Sequence, residues 1–148
     1  RATHVPFIVA APGVTTPGSR CPRPVSLIDL YPTLTDLTGL PPRAGVEGTS
    51  LKPLLRDPRR QWERPALITY FRGNHALRSE RWSYIRYHDG GEELYDRQQD
   101  PHEWVNLASG NAAVKRDLAR WLPQHDAPDA RPSADFVFDP STVKWTRR

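Results

Sequence analysis

The 148 residues are enough for one ordinary domain with its own core. At 37% hydrophobic residues, a mean hydropathy of −0.68 and sixteen prolines, much of the chain must be loop, turn or extended segment. The formal charge of +4 (pI ≈ 9.6) comes from dispersed arginines without a basic, aromatic-laced stripe, which argues against nucleic acid, and no apolar run approaches the ~20 residues of a membrane span.

The single cysteine, Cys21, excludes an internal disulfide. Residue 1 is Arg and no Met occurs. No charged segment with an apolar core precedes the first strand-like run, so no signal peptide is visible. A processed chain and a fragment that begins upstream both fit.

In chain order, "HVPFIVAAPG" holds a nearly unbroken apolar run, Val5 to Ala11, closed by Pro12-Gly13. Such a run suits a strand buried on both faces, as in a parallel sheet covered by helices. No second run of this kind follows, so its partner strands are expected elsewhere. In "SLIDLYPTLTDLTG", Leu27, Leu30, Tyr31, Leu34 and Leu37 follow helical spacing. The spacing predicts a helix from Asp29 as N-cap to Gly39, with Pro32 tolerated in its first turn.

Residues 41–65 read as a long connection, with one short helical turn in "GTSLKPLL". "ALITYF" is predicted as a strand, and "HALRSERWSYIRY" as two arms around a turn at Ser79-Glu80-Arg81. Asp89-Gly90-Gly91 is a strong turn signal before the returning strand "EELYD". A last helix is predicted from Asn111 to Gln124, with Val114, Leu118, Trp121 and Leu122 facing the sheet. From His125 the Pro- and Asp-rich tail is expected to be loosely held, with "DFVFD" docking as a strand or an aromatic anchor. Between sheet and helix, "ELYDRQQDPHEWVNLA" reads as a strand, a turn at "DPHEW" and a clasp in which "VNLA", Val105 to Ala108, feeds back under the sheet.

The expected fold class is α/β: the end of a large mixed or parallel sheet domain plus a small antiparallel sheet covered by a C-terminal helix. Residues 1–64 would end the large domain, 65–124 would form the subdomain, and 125–148 the tail.

Several of these motifs, in this order, resemble the C-terminal part of the type I sulfatases of the alkaline-phosphatase-like superfamily. The likeness rests on Arg78-x-x-x-Trp82-x-Tyr84-Ile85, Glu93-Leu94-Tyr95-Asp96 and Asp100-Pro101-x-Glu103-x-x-Asn106-Leu107-Ala108. It extends to Asp29-Leu30-x-Pro32-Thr33-Leu34-x-Asp36-Leu37-x-Gly39 and Gly48-x-Ser50-Leu51-x-Pro53-Leu54-Leu55, and covers residues 1 to about 122. "ATHVP" and "GNHALR" lean towards the iduronate-2-sulfatase-like branch, with choline-sulfatase-like enzymes as the other option.

The resemblance implies sulfate-ester hydrolysis by a formylglycine nucleophile made from Cys or Ser in C-x-P-x-R, with calcium held by carboxylates. Cys21-Pro22-Arg23-Pro24-Val25 does not match that motif, so Cys21 reads as a loop thiol. Asp29 and Asp36, seven apart on one helix face, read as a cap and a solvated carboxylate ahead of a metal site. His4, His75, His88, His102 and His125 lack the spacing of a zinc site. Calcium and formylglycine are thus expected in a full-length enzyme, not in this chain, and no catalytic or metal-binding residue is assigned.

The substrate-binding candidates are His75 and Arg78, at the loop before "HALR". For Arg78 a structural ion pair with Glu80 or Glu93 competes with that role. Trp82, Tyr84, Tyr87, Tyr95 and Trp104 read as core aromatics. Two functions stand: a sulfatase fragment, inactive alone, and a stand-alone binding or structural module derived from a sulfatase tail. The implied partners are the upstream catalytic region and a sulfated small molecule or sugar. The compartment stays open, the resemblance suggesting periplasmic, secreted or lysosomal. An unpaired "VPFIVAA" edge predicts a poorly soluble or partly molten isolated chain.

Overall fold

Helix α1 (Leu30–Thr38) in the computed structural model, which describes residues 3–128 and 136–147, begins and ends where the sequence expects. A 3-10 turn at Leu27–Asp29 leads in, Asp29 is the N-cap, and Gly39 closes the helix in the left-handed region at φ 71°. Which face is buried is the surprise. Asp29 and Thr33 are buried, whereas Leu27 and Leu34 are 62% and 58% exposed. The inner stripe meets backbone rather than apolar side chains. Asp29 Oδ1 accepts the Thr49 N–H at 2.9 Å and Oδ2 the Ser26 N–H at 3.0 Å. The Thr33 hydroxyl donates to the Asp29 carbonyl and accepts the Leu51 N–H at 2.8 Å. Asp36 takes the Ser50 hydroxyl at 2.6 Å and Lys52 Nζ at 2.8 Å. Asp29, Thr33 and Asp36 lie at i, i+4 and i+7, so one stripe stitches down residues 48–52. Helix α2 (Lys52–Arg56) follows, with Leu51 and Leu54 buried.

Residues 4–10 form no strand, contrary to expectation, and Val5 and Ile8 are exposed. A strand needs a ladder partner for its N–H and C=O groups, and no described segment supplies one.

Strands β1 (Ala66–Thr69), β2 (His75–Arg78), β3 (Trp82–Arg86) and β4 (Glu92–Asp96) form an antiparallel meander in that order. The register pairs Leu67 with Leu77, Leu77 with Tyr84 and Tyr84 with Leu94. Directly paired residues share a face, so these four make one apolar row. Ala108, Leu118 and Leu122 cover it. One row further out on the same face lie Thr69, His75, Arg86 and Glu92. Helix α3 (Ala112–Ala119) supplies Leu118 but stops short of Gln124. Pro123 disfavours helical backbone at the residue before it, and Leu122 packs into the core from a turn.

The clasp forms around Asn106. Its Oδ1 accepts the N–H groups of Leu94 (3.0 Å) and Ala108 (2.9 Å), and its Nδ2 donates to the Glu92 carbonyl at 3.2 Å. The Leu107 N–H adds a bond to the Leu94 carbonyl at 2.8 Å. Trp104 and Val105 are not under the sheet, being 82% and 60% exposed. Asp100 Oδ2 captures both of their N–H groups, at 2.7 and 2.8 Å, in a turn that leaves their side chains outside. Asn106→Ala removes two hydrogen bonds that tie this segment to the edge strand and one within the segment, and should cost about 2 kcal/mol in urea denaturation. A change below about 0.5 kcal/mol, the scale of a neutral surface substitution, would refute the clasp.

In the tail, "DFVFD" gives β5 (Phe136–Asp139), paired with an unforeseen β6 (Lys144–Arg147). The hairpin turn is held by Asp139, which accepts the Ser141 N–H and the hydroxyls of Ser141 and Thr142. Those bonds depress its carboxyl to about 2. Residues 129–135, also within the expected loose tail, lie outside the described residues.

Candidate functional site

The β1–β2 connection, residues 70–74, is short and tightly fixed. The Tyr70 N–H bonds the Asn74 carbonyl at 3.0 Å, and Phe71 and Gly73 sit at φ 55° and 76°. Gly73 touches the β3–β4 turn, since a Cβ there would lie 3.0 Å from the His88 Cβ. Asn74 Oδ1 also lies 3.3 Å from the His88 backbone N and Nδ1. Tyr70 and Phe71 stand outward, edge to face at 4.4 Å.

Between these turns lies an open cleft of ≈ 460 Å³, lined by Arg72, Gly73, Arg86, Tyr87, His88 and Asp126. His75 lies behind it, 2% exposed. Its Nδ1 is 3.0 Å from the Thr69 hydroxyl. Its Nε2 is 2.8 Å from Asp126 Oδ1, an ion-pair distance, but the two atoms are out of line for a hydrogen bond. Among the described residues no hydrogen bond or ion pair engages the guanidinium of Arg72 or Arg86.

Arg86 acts through space on Glu92, which accepts Lys115 Nζ at 2.6 Å and the Tyr84 hydroxyl. Lys115 first, then Tyr84, holds Glu92 below the ordinary carboxylate value of 4.5, while burial and the Glu92 bond push Tyr84 up to about 12. A depressed carboxylate contributes stability that is full above its unfolded value and is lost as pH falls through the folded one. Acidification below about pH 5 should therefore lower the thermal midpoint, and Glu92→Gln should flatten that slope. An unchanged slope would remove Glu92 from the account.

Arg78 lies elsewhere. His75 and Arg78 are three residues apart on β2, so alternation places them on opposite faces of the sheet. Arg78 pairs with Glu103, which also lies 3.8 Å from Arg97. Neither sequence candidate for its partner is used: Glu80 pairs with Arg23, and Glu93 accepts the hydroxyls of Tyr87 and Tyr95. Of the aromatics read as core, Tyr84 is fully buried, Tyr87 lines the cleft and Trp104 stacks on His102 in the open. The sequence reading missed Arg72, Arg86, His88 and Asp126 as a group. Counting back from a Ser79–Arg81 turn would have set Ile85 opposite His75, whereas the observed register, Arg78 with Ser83, brings Arg86 there.

The residues present do not fit a calcium ion or a formylglycine. Among the described residues no three His, Cys, Asp or Glu side chains group to hold a metal ion. Cys21 is exposed, and its neighbour Arg23 is committed to Glu80 and the carbonyls of Arg59 and Arg60. No helix among the described residues is long and apolar enough to cross a membrane.

Comparison with known proteins gives a consistent result. Residues 1–126 match the family described as N-sulphoglucosamine sulphohydrolase, C-terminal. A sulfatase of Formosa agariphila is 37% identical over 99% of this chain and 29% of its own length. A Delta 4,5-hexuronate-2-O-sulfatase of Bacteroides thetaiotaomicron is 36% identical over 72% of this chain and 24% of its own. The solved structure of Ps i-CgsB superposes with a TM-score of 0.55 at 26% identity, over 74% of this chain and 26% of that one. It has also been solved with k-i-k-neocarrahexaose bound. The chain thus spans between a quarter and a third of the length of its F. agariphila relative. A match over residues 1–126, joined to a four-stranded meander closed by the Asn106 clasp and α3, places the chain in the family of sulfatase C-terminal domains.

Proposed function

We propose that this chain is the C-terminal region of an enzyme that hydrolyses the sulfate esters of acidic sugars, and that it contributes to substrate choice rather than to bond cleavage. The observation that carries this reading is the outward apolar surface of the first third, with Val5, Phe7, Ile8, Leu27 and Leu34 exposed. Such a surface on a sulfatase C-terminal domain suits burial against the sheet of a catalytic region. Residues 1–64 would complete that region, 65–124 form the subdomain and 125–148 the tail. A formylglycine nucleophile and a calcium site would belong to that catalytic region rather than to this chain.

A 2-O-sulfated hexuronate, the substrate class of the iduronate-2-sulfatase-like branch, is the favoured substrate. It is supported by the name of the B. thetaiotaomicron relative and by the basic cleft beside residues 70–74. In this reading His75 backs the substrate side of the subdomain, and Arg78 binds Glu103 to keep residues 96–106 in place.

The test compares the full-length protein with residues 1–148 alone. The full-length protein should hydrolyse a chromogenic aryl sulfate, whereas the isolated chain should not, and should bind a hydrophobic dye and melt broadly. A sharp, cooperative melt of a monomeric isolated chain would instead favour a stand-alone module.

A further inference from the structure

The cleft beside residues 70–74 has the features of a binding site already occupied by part of its own chain. Arg72 and Arg86 face a concave space with no anion bonded to either among the described residues. A guanidinium held in such a space is stabilised by a carboxylate or sulfate that its planar fork can grip. His75 Nε2 is buried and lacks a hydrogen bond, and the Asp126 carboxylate 2.8 Å from it is misaligned. Asp126 is itself a third exposed and comes from the segment after α3, past Pro123.

We propose that Arg72, Arg86 and His88, backed by His75, form an anion subsite for an acidic sugar, and that Asp126 is an internal stand-in which the ligand's anionic group displaces. This rests on the proposed function and deepens it. The ≈ 460 Å³ lies within the range of small-molecule sites and suits one or two pyranose rings. Tyr70 and Phe71, exposed and next in sequence to Arg72, present aromatic faces of the kind on which a sugar ring can lie. Phe71, a bulky residue at φ 55°, holds the backbone in a sparsely populated region, as binding loops often do. A carboxylate and a sulfate share the chemistry this cluster recognises, and the two are separable by ligand choice.

The experiment titrates the full-length protein with glucuronate, glucose 6-sulfate and glucose, following binding by calorimetry and the His75 and His88 imidazole signals by NMR. Both anionic sugars, or one of them, should bind and move the His75 signal, while glucose should not. Binding by glucuronate alone assigns a carboxylate, and by glucose 6-sulfate alone a sulfate. Arg86→Ala and the more exposed Arg72→Ala should each weaken binding about tenfold, the scale of one charge-assisted bond. Asp126→Ala should tighten it by about threefold or more, because a competing carboxylate is gone. Equal binding of glucose, no anionic binding, or weaker binding in Asp126→Ala would overturn the proposal. Hydrolysis of an aryl sulfate by the same preparation is scored separately. Its absence counts against the sulfatase reading, and its presence without anionic-sugar binding counts against this subsite alone.

Discussion

Gly48→Ala should destabilise the α1–α2 unit by about 3 kcal/mol, at the upper end of what forced overpacking costs. The added Cβ would fall inside the contact shell of the Ile28 carbonyl oxygen, 2.7 Å from its carbon and 3.1 Å from the Asp29 Cα. All three are backbone atoms, so no side chain can swing aside. The backbone at 28–29 is also held where it is, because Asp29 accepts the Thr49 and Ser26 N–H groups. Relief of the clash would stretch the same bonds that bring Gly48 close. The effect is one of space, since Gly48 is not among the glycines at positive φ. Urea denaturation of the full-length protein measures it. A loss under about 1 kcal/mol, within the range of an ordinary point substitution, would mean that residues 48–52 do not approach α1 this closely.

Leu94→Ala should cost about 3–4 kcal/mol, as expected for a leucine removed from a fully enclosed site. Leu94 has no exposed surface and packs in one cluster with Leu77, Tyr84, Leu118 and Leu122. Its backbone is pinned too, its N–H by Asn106 and its carbonyl by Leu107, so the strand cannot easily collapse into the cavity. Leu34→Ala is the control. Leu34 is 58% exposed, so in the isolated chain the change should fall within about 0.5 kcal/mol. In the full-length protein the proposed catalytic region covers Leu34, and there the cost should approach that of Leu94. An equally small effect in both contexts would count against that covering.

The bounds of α1 and the two hairpin turns were legible because they depend on local chemistry. Gly39 ends α1 in left-handed backbone, Asp29 stands at its N-cap position although its carboxylate serves Ser26 and Thr49, and the 79–81 and 89–91 turns follow from their residues. The clasp was legible as a pattern, although its agent, the Asn106 amide, was not. What stayed hidden is what each face meets. The stripe Leu27, Leu30, Tyr31, Leu34 shows that α1 has an apolar side, but not that its polar side is the one satisfied within the described chain. The same holds at residues 5–9, where a strand pattern has no neighbour to pair with among the described residues. In the cleft, Arg86 comes to His75 only through strand register, and Asp126 only through the path taken after Pro123. Neither signal is periodic.

The stripe of Asp29, Thr33 and Asp36 has a consequence for assembly. Its bonds to residues 49–52 span only 14 to 20 positions, so the loop they close is short and its entropic cost modest. Directional bonds of this kind set helix, loop and α2 into one register without help from a distant strand. The unit can therefore be complete on one side while the other is still wet, like a key cut before its lock is hung. What would remain at the proposed docking is the meeting of two apolar surfaces, which drives association strongly but specifies position weakly. The polar side has already fixed the geometry, and the greasy side has only to hold it.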